Sequence, residues 1–453
     1  MKKVAFLTLG CRVNQYETQA VREALLEKGF QEGDFDEVCD AYVINTCAVT
    51  AESERKGRQM IRRALRMKEK NPDAVVCACG CFSQGKGGAD PIFDEVDVLT
   101  GNTGKSRLAT VIATLSDTPK NERERVVLLE DIARPRAYEP LCLSRSHNAR
   151  AFIKIQDGCN SFCTYCYVPL VRGRVRSRRS DEILAEARRL GENGYREVVL
   201  TGIETGAYGE DLATDDSLLS LVEALQEIPS IERIRFGSLK PSIFTEAFCT
   251  RLSRVKKVLP HFHLSLQSGS DRILRAMGRR YSRREEEEAV RAIEHAFPDA
   301  GLSADLICGF PGETEEDFRE TLSLVDSARL LHTHIFPYSP REGTRAAAFS
   351  DQVDQDTKRE RAARLLEKAK ESSLAFAEKR VGREYRVLCE RIRHGYALGY
   401  TENFIYTETP APEGLRVGDV FPVILTSESE FSVETLCVSG KSGKEVDNSL
   451  KKL

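Results

Sequence analysis

The chain has 453 residues, of which 41% are hydrophobic and 30% are charged, a composition typical of a globular protein with a sizeable core and about three domains. The 67 basic and 70 acidic residues give a net charge of −3, which excludes a protein that coats nucleic acid through bulk positive charge. No run approaches the roughly 18 apolar residues that a membrane-spanning helix needs, so we expect no membrane partner. The 14 cysteines without a secretory signal favour metal binding over a disulfide framework.

Short apolar runs alternate with helical patterns over the first 110 residues, which predicts a small open parallel α/β sheet. The predicted strands are 4–9, 42–45 and 75–79, and the predicted helices are 17–28 and 52–67. The following residues lack periodicity and are rich in Pro, Arg, Asp and Ser. We therefore expect an amino-terminal domain over residues 1–115 and a linker over 116–147.

The alternation of strands and helices resumes after residue 147 and predicts a partial parallel (β/α)6 barrel over residues 148–381. Its six predicted strands are 152–156, 197–201, 231–236, 262–267, 302–307 and 332–336. Three pairs have the spacing of a helix capping box: Ser282 with Glu285, Thr314 with Asp317, and Thr357 with Glu360.

Short alternating strands separated by Gly and Pro follow the barrel and predict a small all-β barrel over residues 382–441. The predicted strands are 385–390, 397–400, 405–408, 420–425 and 432–438. The last residues, 442–453, are expected to be a tail.

A group of three closely spaced cysteines, Cys159, Cys163 and Cys166, follows the first predicted barrel strand. A C-x3-C-x2-C arrangement arises by chance in only about one such chain in a hundred. Three thiolates on one loop can bind three irons of a four-iron cluster and leave the fourth iron open to an exogenous ligand. Structural zinc usually needs four protein ligands, and a fourth local cysteine is missing.

Other candidate cofactor contacts lie on the barrel strands or at their carboxyl ends, where barrel enzymes build their active sites. They are Tyr165, Gly202, Glu204, Gln267, Ser268 and Asp305. Tyr165 could pack on an adenine ring or serve as a core aromatic of its loop. The polar residues could contact a cofactor or substrate, or could form turns.

A second set of cysteines, Cys11, Cys47 and Cys81, is remote in sequence, but each follows a predicted strand of the amino-terminal sheet. Because the ends of parallel strands share one edge of a sheet, these thiols could converge on a second cluster. The alternatives are a zinc site that uses Cys77, Cys79 and Cys81, or buried thiols without a metal. On a straight strand, Cys77, Cys79 and Cys81 lie too far apart to bind one tetrahedral zinc ion without ligands from another element.

The chain resembles the radical S-adenosylmethionine (SAM) methylthiotransferase family over residues 3–440, and within it the MtaB branch. The resemblance is carried by the segments TLGCRVNQYE at 8–17, NTCAVT at 45–50, GCFSQ at 80–84 and QDGC at 156–159. It implies a SAM barrel and a carboxy-terminal TRAM domain. The implied reaction is methylthiolation of C2 of N6-threonylcarbamoyladenosine 37, next to the tRNA anticodon.

The resemblance also implies two [4Fe-4S] clusters and two SAM molecules in each reaction. Cys159, Cys163 and Cys166 would bind the cluster that cleaves SAM, while Cys11, Cys47 and Cys81 would bind an auxiliary cluster that presents the sulfur. A relative that acts on isopentenyladenosine or on a ribosomal protein remains an alternative, as does an iron–sulfur RNA-binding protein without catalysis.

The expected partners are the tRNA anticodon stem-loop and a flavodoxin- or ferredoxin-type reductant, which places the protein in the cytoplasm. Arg172, Arg174 and Arg176 form a cationic stretch that could bind phosphates or could be a solvated charged run. Tyr400 and Phe404 of the terminal barrel could stack on unpaired bases or belong to its core.

Overall fold

The computed structural model describes residues 1–134, 137–146, 148–428 and 433–437. The amino-terminal strands are β1 (Lys3–Thr8), β2 (Gln31–Glu32), β3 (Ala41–Thr46), β4 (Val75–Gly80), β5 (Val98–Thr100) and β6 (Val126–Leu128). They form a parallel sheet in the order β2-β1-β3-β4-β5-β6. The helices of this region are α1 (Arg12–Glu27), α2 (Ala51–Lys70), α3 (Cys81–Lys86) and α4 (Leu108–Asp117).

Strands β3 and β4 are buried along their whole length because helices cover both faces of the sheet. Tyr42 and Ile44 pack on the side of α2 and α3, whereas Val43 packs on the side of α1 and α4. The predicted open parallel sheet is therefore confirmed. The predicted linker is wrong at one point, since β6 lies within residues 116–147 and pairs with β5.

The central region has six parallel strand positions, as predicted. Its strands are β7 (Ala151–Lys154), β8 (Gln156–Asp157), β9 (Arg176–Ser177), β10 (Glu197–Thr201), β11 (Arg233–Phe236), β12 (Ser238–Leu239), β13 (His261–Gln267), β14 (Gly301–Cys308) and β15 (His332–Pro337). One parallel sheet has the order β11-β10-β7 and the other has the order β12-β13-β14-β15. Only Gly237 separates β11 from β12, so these two form one interrupted strand that joins the two sheets into a partial barrel with six strand positions. Strands β8 and β9 form a separate antiparallel pair beside the barrel.

The helices of the central region lie between these strands or follow them. They are α5 (Val168–Arg172), α6 (Ser180–Glu192), α7 (Leu218–Gln226), α8 (Glu246–Leu252), α9 (Asp271–Ala276), α10 (Arg283–Ala296), α11 (Glu315–Ser327) and α12 (Gln355–Glu378). The capping boxes predicted at the starts of α10 and α11 are confirmed. The box at Thr357 is wrong, because the Asp354 carboxylate caps α12 by accepting hydrogen bonds from the backbone amides of Asp356 and Thr357.

The carboxy-terminal strands are β16 (Glu384–Arg393), β17 (Tyr396–Tyr400), β18 (Tyr406–Pro410), β19 (Val420–Glu428) and β20 (Val433–Cys437). They close into a small barrel in the order β16-β17-β18-β20-β19, which confirms the predicted all-β unit. The predicted tail, 442–453, lies outside the described residues. Among the described helices, none is long and apolar enough to cross a membrane.

Candidate active site

The three remote cysteines of the amino-terminal sheet come together at the carboxyl ends of its strands. Cys11 precedes α1, Cys47 follows β3, and Cys81 is the first residue of α3. Gly10 adopts a φ of +97°, and a Cβ there would lie 2.8 Å from Cys47 Cβ. Glycine is therefore required for the chain after β1 to approach Cys47 so closely.

Side-chain amides tie these strand ends together. Asn14 Nδ2 donates to the carbonyl oxygens of Leu9 at 2.8 Å and Thr46 at 3.0 Å. Asn45 Nδ2 donates to the carbonyl oxygen of Asn14 at 3.0 Å. The loops that carry Cys11 and Cys47 are thus held by buried hydrogen bonds, which preorganises the two thiols.

The chemistry of this donor set fits an iron–sulfur cluster. Burial, followed by the neighbouring Cys81, raises the pKa of Cys47 to about 11, and Cys11 adds to this effect. Cys81 and Cys11 therefore lie close enough to act electrostatically on Cys47, and the Cys47 thiol keeps its proton at neutral pH until a metal replaces it. No group of Cys, His, Asp and Glu within the described ranges is arranged to hold a metal ion, whereas a four-iron cluster binds its thiolates on separate irons and accepts a wider spacing.

The alternative zinc trio does not assemble. Cys77 and Cys79 pack in the core on the α1 and α4 side of the sheet, whereas Cys81 packs on the α2 and α3 side. Burial raises the pKa of Cys79 to about 12. These two thiols are core residues, and the hypothesis of a zinc site that combines them with Cys81 is wrong.

The second group of cysteines lies on the loop between β8 and α5. A Cβ on Gly158, whose φ is +72°, would lie 1.9 Å from the carbonyl oxygen of Arg174, so the loop can begin only at a glycine. The loop is fixed to α9 by Thr164, whose amide donates to Met277 and whose hydroxyl donates to Ala276, both at 2.8 Å. The backbone thus presents Cys159, Cys163 and Cys166 from one rigid loop.

The surroundings of these thiols also suit an anionic cluster. Arg279 Nη1 donates to Cys163 Sγ at 3.3 Å, and the backbone amide of Ser161 donates to Cys159 Sγ at 3.4 Å. Burial, followed by Cys163, raises the pKa of Cys166 to about 12. Hydrogen bonds from cationic and amide donors stabilise thiolates once the protons have left.

A cavity of about 180 Å³ adjoins this loop, and its lining includes Cys163, Glu204, Lys240 and Arg279. Lys240 Nζ lies 2.7 Å from Glu204 Oε2 and donates to Ser161 Oγ at 2.6 Å. The cavity is therefore lined by a carboxylate and an ammonium group next to the cysteine loop. Such a pair of opposite charges suits a zwitterionic ligand such as the amino acid part of SAM. Sequence reasoning identified Glu204 but missed Lys240 and Arg279, which stand in no recognisable motif.

A buried network of charges connects the two cysteine groups. Its members are Glu17 on α1, Lys105, Lys154 on β7, Asp157 on β8, Arg172 on α5 and Arg176 on β9. Glu17 lies 2.7 Å from Lys154 and 2.9 Å from Arg172, and it also pairs with Lys105. Burial alone would raise the pKa of Glu17, but Arg172, Lys105 and Lys154 together hold it well below its usual value.

This network contains two carboxylates and four cations, which leaves two positive charges in excess. Cys81 and Cys11 act electrostatically on the Arg172 guanidinium, so the excess lies beside the remote thiols. Buried unpaired charge is costly. An anionic thiolate-bound cluster at Cys11, Cys47 and Cys81 would compensate it.

Shorter paths also connect the two cysteine loops. Asn102 Nδ2 lies 3.5 Å from Cys81 Sγ and donates to the carbonyl oxygen of Val171 on α5 at 2.9 Å. Tyr167, next to Cys166, donates its hydroxyl to the carbonyl oxygen of Gly85 on α3 at 3.1 Å. The segment after the C-x3-C-x2-C loop therefore packs directly on the segment that begins with Cys81.

Two of the three arginines predicted to contact RNA are not available for it. Arg172 has none of its surface exposed, and it donates to Asn14, Glu17 and Asp157. Arg176 is also buried and contacts Asp157. Those two predictions are wrong because the arginine-rich segment has the composition of a solvent-exposed surface, whereas Arg172 and Arg176 are buried in ion pairs. Arg174 is exposed, and its guanidinium lies 4.3 Å from the centre of the Phe162 ring.

The predicted base-stacking pair, Tyr400 and Phe404, packs against the central barrel. The Phe404 ring stacks on His261 at 4.0 Å and on Tyr400 at 4.3 Å, at the amino-terminal end of β13. The guanidinium of Arg235 lies 5.0 Å from the Phe404 ring centre. The prediction that Phe404 stacks on RNA is wrong because its ring already joins the two barrels, and Tyr400 is covered on the face that Phe404 occupies.

The predicted cofactor contacts divide into two groups. Tyr165 donates its hydroxyl to Gln267 Oε1 at 3.1 Å, and Glu204 Oε2 lies 3.8 Å from Cys159 Sγ, so these residues gather near the loop. The backbone at Gly202 approaches Gln156 so closely that a Cβ would lie 2.8 Å from its Oε1.

The other two predicted contacts lie elsewhere. Ser268 is fully buried and its hydroxyl is hydrogen-bonded to Thr321 on α11, so its role as a cofactor contact stays a prediction. Asp305 lies within β14 and pairs with His263 Nε2 at 3.1 Å, away from the strand end.

Two family models match the chain. The radical SAM superfamily matches residues 153–325, and an uncharacterized protein family, UPF0004, matches residues 3–101. Among solved structures, the radical SAM methyltransferase TsrM from Kitasatospora setae, with cobalamin and a [4Fe-4S] cluster bound, is similar with a TM-score of 0.52. It shares 17% identity and the alignment covers 75% of this chain and 76% of that one, which shows the fold.

The curated relatives are more similar in sequence. The threonylcarbamoyladenosine tRNA methylthiotransferase MtaB of Bacillus subtilis is 37% identical over 89% of this chain and 90% of its own, and that of Aquifex aeolicus is 38% identical over 89% and 95%. A tRNA-2-methylthio-N(6)-dimethylallyladenosine synthase from Pelotomaculum thermopropionicum is 35% identical over 94% and 95%. The chain therefore belongs to the radical SAM methylthiotransferases, enzymes that use SAM and a [4Fe-4S] cluster.

Proposed function

We propose that this enzyme transfers a methylthio group to C2 of N6-threonylcarbamoyladenosine next to the anticodon of tRNA. The observation that carries the proposal is the meeting of Cys11, Cys47 and Cys81 at one sheet edge, in contact with the segment that follows Cys166. Curated relatives named as threonylcarbamoyladenosine tRNA methylthiotransferases support the substrate.

In this proposal Cys159, Cys163 and Cys166 bind the cluster at which SAM is held, and Cys11, Cys47 and Cys81 bind a second cluster. An aromatic C2–H bond resists acid–base chemistry, so the clusters supply what the side chains cannot, namely the electron that yields a radical from SAM and the sulfur that is inserted. Glu204, Lys240 and Arg279 orient SAM beside the loop.

The remaining assignments complete the proposal. Residues 1–115 carry the auxiliary site, 148–381 the SAM site, and 382–441 a TRAM-type barrel. A flavodoxin- or ferredoxin-type reductant in the cytoplasm supplies electrons. The exposed Arg174, stacked on Phe162, binds a phosphate of the anticodon stem-loop near the cysteine loop.

The test uses purified enzyme, SAM, a chemical reductant and synthetic anticodon stem-loops that carry N6-threonylcarbamoyladenosine, isopentenyladenosine or adenosine. Mass spectrometry of the nucleosides should show a methylthio product only for the first RNA. A product only from the isopentenyladenosine RNA would assign the enzyme to the dimethylallyladenosine type, which relatives of similar identity represent.

Variants of the two cysteine groups separate their roles. Cys163→Ala should abolish release of 5′-deoxyadenosine from SAM, because the cluster that cleaves SAM loses a ligand. Cys47→Ala should retain that release but form no methylthio product. A Cys47→Ala enzyme that still inserted sulfur would remove the auxiliary site from the proposal.

A further inference from the structure

An accessible cation lies directly beside the first auxiliary cysteine. Arg12 follows Cys11, and its side chain is exposed. Among the described residues it has no hydrogen bond or ion pair, and its guanidinium lies 5.8 Å from the centre of the Phe152 ring on β7. An unpaired guanidinium between the sheet and the barrel has its full hydrogen-bonding capacity available for a ligand.

The carboxylates around Arg12 already form ion pairs with other residues. The groups that act on it electrostatically are Arg150, Tyr400, Asp305 and Glu197. Glu197 lies 2.7 Å from both Arg233 and Arg235, and Asp305 pairs with His263. No carboxylate in this group is free to neutralise Arg12.

The balance of charge around Arg12 is positive. Four arginines, Arg12, Arg150, Arg233 and Arg235, face three carboxylates, Glu197, Asp305 and Glu390. Glu390 pairs with Arg150. The excess of one cation, located on the accessible Arg12, favours a ligand with one negative charge.

The same region offers a surface for an aromatic ring. His332, His334 and Phe336 alternate along β15 and so face one side of the strand. His334 is exposed, and the centre of its ring lies 5.2 Å from the centre of the His263 ring. The charge of Arg12 acts electrostatically on His334. Phe336, on the same side and toward the carboxyl end, is 44% exposed. An exposed phenyl ring next to polar groups suits a flipped-out base.

We propose that Arg12 binds the carboxylate of the threonylcarbamoyl group on the substrate adenosine, while Phe336 packs on the base. This inference rests on the proposed function and names the residue that selects the N6 substituent. The threonyl carboxylate is the only negative charge on that nucleobase, and a guanidinium binds a carboxylate through two parallel hydrogen bonds. An N6-isopentenyl group has no such charge and would leave Arg12 unpaired.

The test compares two anticodon stem-loops, one with N6-threonylcarbamoyladenosine and one with the methyl ester of its threonine carboxylate. The wild-type enzyme should show a KM roughly 10–100-fold higher for the ester, since a charge-assisted pair is lost. Arg12→Gln should raise the KM for the acid by a similar factor and no longer distinguish the two RNAs. Arg12→Lys should recover part of the difference because it keeps the charge.

Arg62→Gln, an exposed arginine on α2, is the matched control and should behave as the wild type does. Equal KM values for acid and ester with the wild-type enzyme would overturn the inference, even if Arg12→Gln assembled its clusters poorly. A wild-type enzyme that modifies neither RNA would instead refute the proposed function, so the two failures are distinguishable.

Discussion

Replacement of Glu17 by Gln tests the buried network between the two cysteine groups. Glu17 is 1% exposed and binds three cations, Lys105, Lys154 and Arg172. Gln keeps the size of the side chain but removes the charge. Lys154 and Arg172 then keep only the carboxylate of Asp157, and Lys105 loses the carboxylate with which it pairs. Loss of one partner from a buried ion pair costs about 3–5 kcal/mol, a large part of a typical unfolding free energy of about 5–15 kcal/mol.

The assay is urea unfolding of the iron-free chain under reducing, anaerobic conditions, followed by circular dichroism. Glu17→Gln should lower the unfolding midpoint markedly. Glu52→Gln is the control, because Glu52 forms a similar pair with Arg55 on the exposed surface of α2, where the midpoint should not change. Equal midpoints for the two variants would show that the buried ion pairs of Glu17 do not stabilise the contact between the two cysteine groups.

Three further predictions follow from the same geometry. Burial alone would raise the pKa of Glu17, but its cations hold that pKa well below the ordinary 4.5, so the stabilisation by Glu17 is fully present above pH 4.5 and is lost only as the pH falls below that value. The difference in unfolding midpoint between the wild type and Glu17→Gln should therefore stay constant from about pH 8 to pH 5. A difference that became smaller over that range would contradict the ionised state of Glu17. Cys77→Ala should form as much methylthio product as the wild type, since Cys77 lies in the core, whereas Cys81→Ala should form none. Arg174→Gln should weaken binding of the anticodon stem-loop and reduce the slope of log affinity against log salt by about one, and Arg188→Gln, another exposed arginine, should leave that slope unchanged.

The convergence of the remote cysteines was predictable from local sequence. Each of Cys11, Cys47 and Cys81 follows a strand whose apolar run is visible in the sequence, and parallel strands end at a common edge. The same logic gives the six barrel strands. The short β6 was missed because three residues in a segment rich in charges carry too little periodicity to mark a strand.

The pairing of buried charges could not be predicted in this way. Arg172 and Arg176 lie in a run of arginines that has the composition of a surface, yet tertiary contacts with Glu17 and Asp157 bury them. Glu17 and Arg172 are 155 residues apart, and hydrophobic patterning contains no information about which charges meet. Phe404 was misassigned for the same reason, since its stacking partner His261 belongs to another unit.

We expect each of the two separate trios of thiols to hold an iron–sulfur cluster. Iron and acid-labile sulfide in anaerobically reconstituted enzyme measure this most directly. We expect about eight irons per wild-type chain and about four in the variant that lacks Cys11, Cys47 and Cys81. A wild-type chain that binds only about four irons, or a triple variant with the same content as the wild type, would contradict it.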